Sequence, residues 1–166
     1  MSYHPALEAI LDTPEIRAIK KMPLSQQREI FKKSSLETLK TVAKPDIIEK
    51  DMPLKNDTFL RHYIPNTPCN KAVLFIHGGG WSLGSVDTYD NVCRYLCNNG
   101  GFHIFSLEYR LAPEHKYPAA VNDSLDAYDW LYSNASNLGF SSENIFVMGD
   151  SAGGNLATII CHERQN

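Results

Sequence analysis

From Lys71 onward the chain alternates short apolar runs with longer stretches whose apolar residues recur every three or four positions, the pattern of strands separated by helices. The run Ala72-Val73-Leu74-Phe75-Ile76 is continuously apolar, as a strand buried on both faces requires. A helix over about Thr88 to Asn99 carries Val92, Tyr95 and Leu96 and stops at Gly100-Gly101. His103 to Leu107 reads as the next strand. Ala119 to about Asn137 reads as a helix with Val121, Leu125, Tyr128 and Leu131 on one stripe, and Ile145 to Met148 as the last strand. This alternation predicts a doubly wound α/β fold with a mostly parallel sheet. The first part of the chain differs. Pro5 to about Lys20 is helical in spacing, with Leu7, Ile10, Leu11, Ile16 and Ile19 apolar and a break at Pro14 after a candidate N-cap, Thr13. Ser25 is expected to cap a second helix with Ile30, Phe31, Leu36 and Leu39 on its apolar face. Pro45 ends it. Ile47 to Leu54 and Phe59 to Ile64 predict a hairpin turning at Lys55-Asn56-Asp57, at the edge of the sheet. The expected division is a helical cap segment over 1–44 and a partial α/β core over 45–166.

With 43% apolar and 21% charged residues the 166-residue chain is ordinary globular material, and a net charge of −3 gives no electrostatic footprint for nucleic acid. The basic bias of residues 1–44 reads as a solvated helix face. Cys69, Cys93, Cys97 and Cys161 form no CxxC pair and no dense framework, so free thiols are expected; Cys93 and Cys97 lack a histidine at zinc-ligand spacing. No signal-peptide pattern or membrane-length apolar stretch occurs, and the expectation is a soluble cytoplasmic protein without a membrane span.

Gly149-Asp150-Ser151-Ala152-Gly153 follows the last apolar run and opens the helical pattern Asn155 to Ile160. A serine hydroxyl is a poor nucleophile, so a hydrolase must expose it, supply a base and stabilise the oxyanion. A sharp strand-to-helix turn does the first by holding Ser151 in a strained conformation, and it closes only if the residues two before and two after are small. Gly149 and Gly153 satisfy that, and Gly154 is expected to let the helix pass close to the strands. His77-Gly78-Gly79-Gly80-Trp81 stands at the end of the strand 72–76, where consecutive glycines bring backbone N–H groups up to a substrate carbonyl. Ala152, the residue after the nucleophile, is expected to donate another N–H.

Three blocks together, His77 to Trp81 with Gly84-Ser85, Tyr109-Arg110-Leu111-Ala112-Pro113-Glu114, and Gly149 to Asn155, resemble the hormone-sensitive-lipase-like branch of the α/β-hydrolases, carboxylesterases and lipases of short to medium acyl esters. The resemblance runs over roughly 45–162. It implies Ser151 as nucleophile and an oxyanion hole from Ala152 and the glycines Gly78, Gly79 and Gly80, of which Gly79 and Gly80 are favoured while the choice stays open. It implies no metal or cofactor, and a small-molecule ester as partner. The N-terminal helices would form part of a cap lining the acyl pocket. His77 is expected to brace its loop, Arg110 to pair with Glu114, and Asp150 to point away from the serine. Glu108 stands where the family commonly has Asp.

In this fold the acid and base follow the serine, yet no aspartate does so here. His162 lies eleven residues down the elbow helix, about 16 Å from the serine backbone. His4, His62, His103 and His115 lack the expected context. Two explanations stand: a fragment needing a complementing C-terminal half or an oligomeric partner, or a short protein that has lost hydrolysis. On either, the strand at 145–149 is expected to be an open edge and one helix face uncovered. The rival function is a non-catalytic small-molecule-binding protein on the same scaffold.

Overall fold

The computed structural model describes residues 13–40 and 44–164, and the expected helix over 5–12 lies outside them. Thr13 caps the first described helix, α1 (Pro14–Lys20), its hydroxyl accepting from the Ile16 N–H at 3.3 Å. The second, α2, spans Leu24–Lys40. It begins one residue before Ser25, because the Pro23 carbonyl already accepts from Gln26 and Gln27, so Ser25 sits inside the first turn and is not the cap.

The sheet has five strands: β1 (Ile48–Pro53), β2 (Phe59–Ile64), β3 (Ala72–Ile76), β4 (His103–Glu108) and β5 (Ile145–Gly149). Their order is β1-β2-β4-β3-β5. The hairpin β1–β2 is antiparallel and pairs antiparallel with β4, while β4, β3 and β5 run parallel. Asn56 and Asp57 adopt positive φ in the hairpin turn, as such short polar side chains tolerate. Helices α3 (Asp90–Gly100), α4 (Ala119–Leu138) and α5 (Ala152–Glu163) complete the α/β architecture. Gly101 and Gly139 end α3 and α4 in the left-handed conformation.

Alternation along the strands divides the core. Val73, Phe75 and Ile104 pack with Cys93 and Cys97 of α3 on one face. Leu74, Ile76, Phe105 and Leu107 pack on the other with Leu131 of α4 and Leu156 and Ile160 of α5. Every residue of β3 is buried, as its continuous apolar sequence requires. Among the described residues β5 pairs only with β3, and Phe146 and Met148 stand exposed on the α3 side. That uncovered surface is a sheet face, whereas α5 keeps Leu156, Ala157 and Ile160 buried. All four cysteines are free, and no described helix is long and apolar enough to cross a membrane.

Candidate active site

The chain leaves β3 toward β4 on one side and returns to pair β5 on the other, so a topological switch point lies beyond the C-terminal ends of β3 and β5. Ligands of open α/β sheets bind in such crevices. The register sets Ile76 beside Gly149, which brings the glycine loop that follows β3 against the turn that follows β5.

Ser151 stands in that turn, exposed, with φ 52 and ψ −114, a strained conformation for any residue with a Cβ. The turn is held by two backbone bonds, Asp150 N–H to the Ile76 carbonyl at 3.2 Å and Gly153 N–H to the Asp150 carbonyl at 2.7 Å. Ala152 opens α5, and a first-turn N–H has no acceptor within its own helix. Gly153 makes the close approach to the sheet expected of Gly154: a Cβ on it would collide with the carbonyl groups of Ile76 and His77. Gly154 faces Gly149 with more room.

In the glycine loop Gly79, Gly80 and Trp81 have φ of 121, 61 and 59 in succession. Left-handed backbone suits the two glycines, while Trp81 is there at a cost. The Gly79 carbonyl accepts from Ser82 and Leu83, and the Trp81 carbonyl from Ala112 at 2.8 Å, so the loop is folded on itself and fastened to the one after β4. Glu108 accepts the Val86 N–H at 2.6 Å, and burial raises its carboxyl above the usual range. Gly78 hydrogen-bonds through its backbone to Tyr89, whose hydroxyl donates to Asp150 at 2.5 Å. Asp150 is thus turned away from the serine, and burial together with that bond pushes the Tyr89 phenol up to about 12.

His77 braces the loop. Its Nδ1 lies 2.8 Å from the Gly78 carbonyl, which can only accept, so Nδ1 carries the proton. The ring is fully buried, stacked on Tyr109 at 4.3 Å between centroids, and its Nε2 has no hydrogen-bond partner among the described residues. Burial pushes His77 down to about 4, and the imidazole is neutral at ordinary pH. His62 and His103 are similarly occupied, bonded to each other at 2.9 Å, with burial the main cause holding both below the usual histidine range.

The Arg110–Glu114 pair expected from the sequence does not form. Arg110 instead bonds the Asp123 carboxylate of α4 at 2.7 Å, because the start of α4 folds back over the end of β4. Glu114 is gripped by Arg28 of α2, and that hydrogen-bonded guanidinium holds its carboxyl down at about 2. Arg28, Tyr89 and Asp123 were not singled out by sequence reasoning, since no motif or local period marks them.

Beside the loop lies a cavity of about 370 Å³, lined by Gly80, Trp81, Ala112 and Tyr117 on one side and Leu156 and Ile159 of α5 on the other. Among the described residues, α1 and α2 contribute none of its lining. No group of three metal-ligating side chains occurs among the described residues.

A family model described as an alpha/beta hydrolase fold matches residues 73–166. An arylesterase of Saccharolobus solfataricus is 40% identical over 136 residues, 79% of this chain and 44% of that protein. The carboxylic ester hydrolase LipN of Mycobacterium tuberculosis is 45% identical over 106 residues, 61% of this chain and 27% of that protein. The solved structure of the Francisella virulence factor BioJ superposes with a TM-score of 0.91 at 66% identity, covering 99% of this chain and 55% of that one. The chain therefore spans about half the length of that structure and less than half of these two curated relatives.

Proposed function

On the premise that this chain belongs to the α/β-hydrolase fold family, we propose that it supplies the nucleophile half of a serine carboxylic-ester hydrolase. The observation carrying this reading is the exposed Ser151 at φ 52, set against a glycine loop by the paired ends of β3 and β5. In the proposed reaction the Ser151 hydroxyl attacks the ester carbonyl, its proton passing to a base, and the tetrahedral intermediate places negative charge on the former carbonyl oxygen. Ala152 N–H, at the positive end of α5, supplies one oxyanion donor. Gly79 and Gly80 supply the others, since Gly78 is engaged with Tyr89. Preorganised donors of this kind contribute about 3 kcal/mol each to transition-state stabilisation.

The apolar cavity beside Gly80 suits a carbon chain of the ester. Residues 1–44 are read as a cap segment and 45–166 as core. None of His62, His77 or His103 is placed to serve as base, because each ring is buried and already engaged, His77 with its own loop and His62 with His103. The rival, a binding protein on the same scaffold, would use the cavity without the serine.

A fluorophosphonate probe separates the two. Slow covalent labelling seen by intact mass, absent in Ser151→Ala, is expected, and any turnover of a short-chain p-nitrophenyl ester should be lost in that variant. Labelling or ester turnover that persists unchanged in Ser151→Ala would refute the nucleophile assignment.

A further inference from the structure

We infer that Arg28 is a positioning residue for the oxyanion loop, through which helix α2 sets the geometry of the glycines at 79 and 80. The inference rests on the reading of Ser151 and that loop as an ester-hydrolysing site. Its basis is a set of contacts that no motif announces. The Arg28 Nε donates to the Ser82 carbonyl at 2.8 Å. One terminal nitrogen donates to the Ala112 carbonyl at 2.9 Å, and both reach the Glu114 carboxylate, at 2.9 and 2.7 Å. A single guanidinium thus binds the loop after β3 and the loop after β4 at once.

The place it binds is the joint between them. Ala112 donates to the Trp81 carbonyl, one residue before Ser82, and Arg28 straddles that bond by taking the Ser82 and Ala112 carbonyls on either side. Ser82 in turn donates its N–H to the Gly79 carbonyl. Fixing Ser82 therefore fixes the plane of the peptide between Gly79 and Gly80, and with it the direction of the Gly80 N–H. The stretch needs such support. Three successive residues at positive φ, the last a tryptophan, persist only where surrounding contacts over-determine them. Glu114 completes the arrangement by satisfying the rest of the guanidinium in a two-pronged pair. Lysine has neither the planar fork nor the reach to three acceptors in this geometry.

The variants Arg28→Ala, Arg28→Lys and Glu114→Gln test this, with Lys32→Met as control on the same helix, where it removes a cation that contacts Asp87 at 3.8 Å and binds neither the Ser82 nor the Ala112 carbonyl. Two measurements are made on the full chain: amide hydrogen exchange of the peptide spanning 79–84, and the concentration dependence of fluorophosphonate labelling at Ser151. In Arg28→Ala the peptide should exchange faster while β3 and β4 keep their protection. The maximal labelling rate should fall about tenfold or more with the half-saturating concentration unchanged, because the donors act on the charge that develops on the phosphoryl oxygen as fluoride is displaced. Arg28→Lys and Glu114→Gln should lie between, Lys32→Met should match wild type, and ethylguanidinium should restore part of the Arg28→Ala rate.

Should Arg28→Ala lose protection throughout the sheet, Arg28→Lys and Glu114→Gln decide the matter in its place, and wild-type exchange and labelling in both would overturn the inference. Wild-type labelling by Arg28→Ala would overturn it while leaving the esterase reading intact. Labelling that persists in Ser151→Ala would overturn the esterase reading on its own account; if the wild-type chain takes up too little probe for a rate to be followed, exchange decides, and unchanged exchange at 79–84 in Arg28→Ala would overturn the positioning role.

Discussion

Replacing Ser151 by glycine should make the protein more stable than replacing it by alanine, although both remove the proposed nucleophile. Ser151 sits at φ 52 and ψ −114, and its side chain makes no capping hydrogen bond to α5. The exposed hydroxyl therefore contributes little that its removal would forfeit. The strain of such a conformation is about 1–3 kcal/mol for a residue with a Cβ. Glycine removes it but gains freedom in the unfolded chain, which costs about 0.5–1 kcal/mol. The difference leaves Ser151→Gly more stable than Ser151→Ala by about 1 kcal/mol, or about 2–4 °C in Tm for a chain of this size. Alanine keeps the Cβ and the strain and should melt with the wild type. Thermal melts followed by circular dichroism, with urea unfolding in parallel, measure the ordering. A glycine variant that melts at or below the alanine variant would show that the turn imposes no strain on its central residue, and the argument that β5 and α5 force the serine outward would fall with it.

Acidification should destabilise the fold through its buried histidines. The unfolded chain takes up a proton at the ordinary value near 6.5, whereas His77 in the folded state does so only at about 4. Below pH 6.5 the unfolded state binds more protons, so stability is fully present above that value and declines as pH falls toward 4, by about 2 kcal/mol at pH 5 from His77 alone. His62, held at about 3, acts in the same direction. Urea midpoints equal at pH 7 and pH 5, or an imidazolium signal from His77 by NMR at pH 5, would contradict this. Gly153→Ala should cost about 3 kcal/mol, because its Cβ meets two carbonyls of a central strand end that cannot retreat. Gly80→Ala, with nothing within 4 Å of the new atom, should cost only the strain of φ 61, about 1–2 kcal/mol. Urea unfolding that ranks the two in the opposite order would refute the packing argument.

What the sequence disclosed was whatever depends on neighbours in the chain. The unbroken apolar run of β3 matches its observed bounds, and the Gly100-Gly101 pair stops α3 where its left-handed cap, Gly101, stands. The elbow and the loop were both legible, because tight turns and close backbone approach demand glycine at fixed offsets. Pairings set by tertiary placement were not. Arg110 was matched to Glu114, four residues away in the same loop, when its partner lies across the turn on α4. Arg28 looked like one more charge on a solvated helix, and only the folded chain brings it to the joint of two loops. Gly154 and Gly153 are adjacent, and composition alone could not say which faces the sheet.

Both halves of the candidate site hang from one place, the C-terminal end of β3. The Ile76 carbonyl accepts from Asp150, the Ile76 and His77 carbonyls limit what fits at Gly153, and the Tyr109 hydroxyl donates to the His77 carbonyl at 3.1 Å from the far side. The glycine loop begins at that same residue. A wholly buried strand is among the last parts of a domain to open, whereas an exposed edge such as β5, with Phe146 and Met148 in solvent, opens at lower cost. The elbow spans these two regimes, tied to β3 by the hydrogen bond from the Asp150 N–H to the Ile76 carbonyl and continuous with β5 through the chain. The spacing of Ser151 from the proposed oxyanion donors therefore depends on the β3–β5 pairing from Ala72–Ile145 to Ile76–Gly149. A surface packed on Phe146 and Met148 would act on the site through that ladder, by holding β5 against β3, with no need to touch the serine.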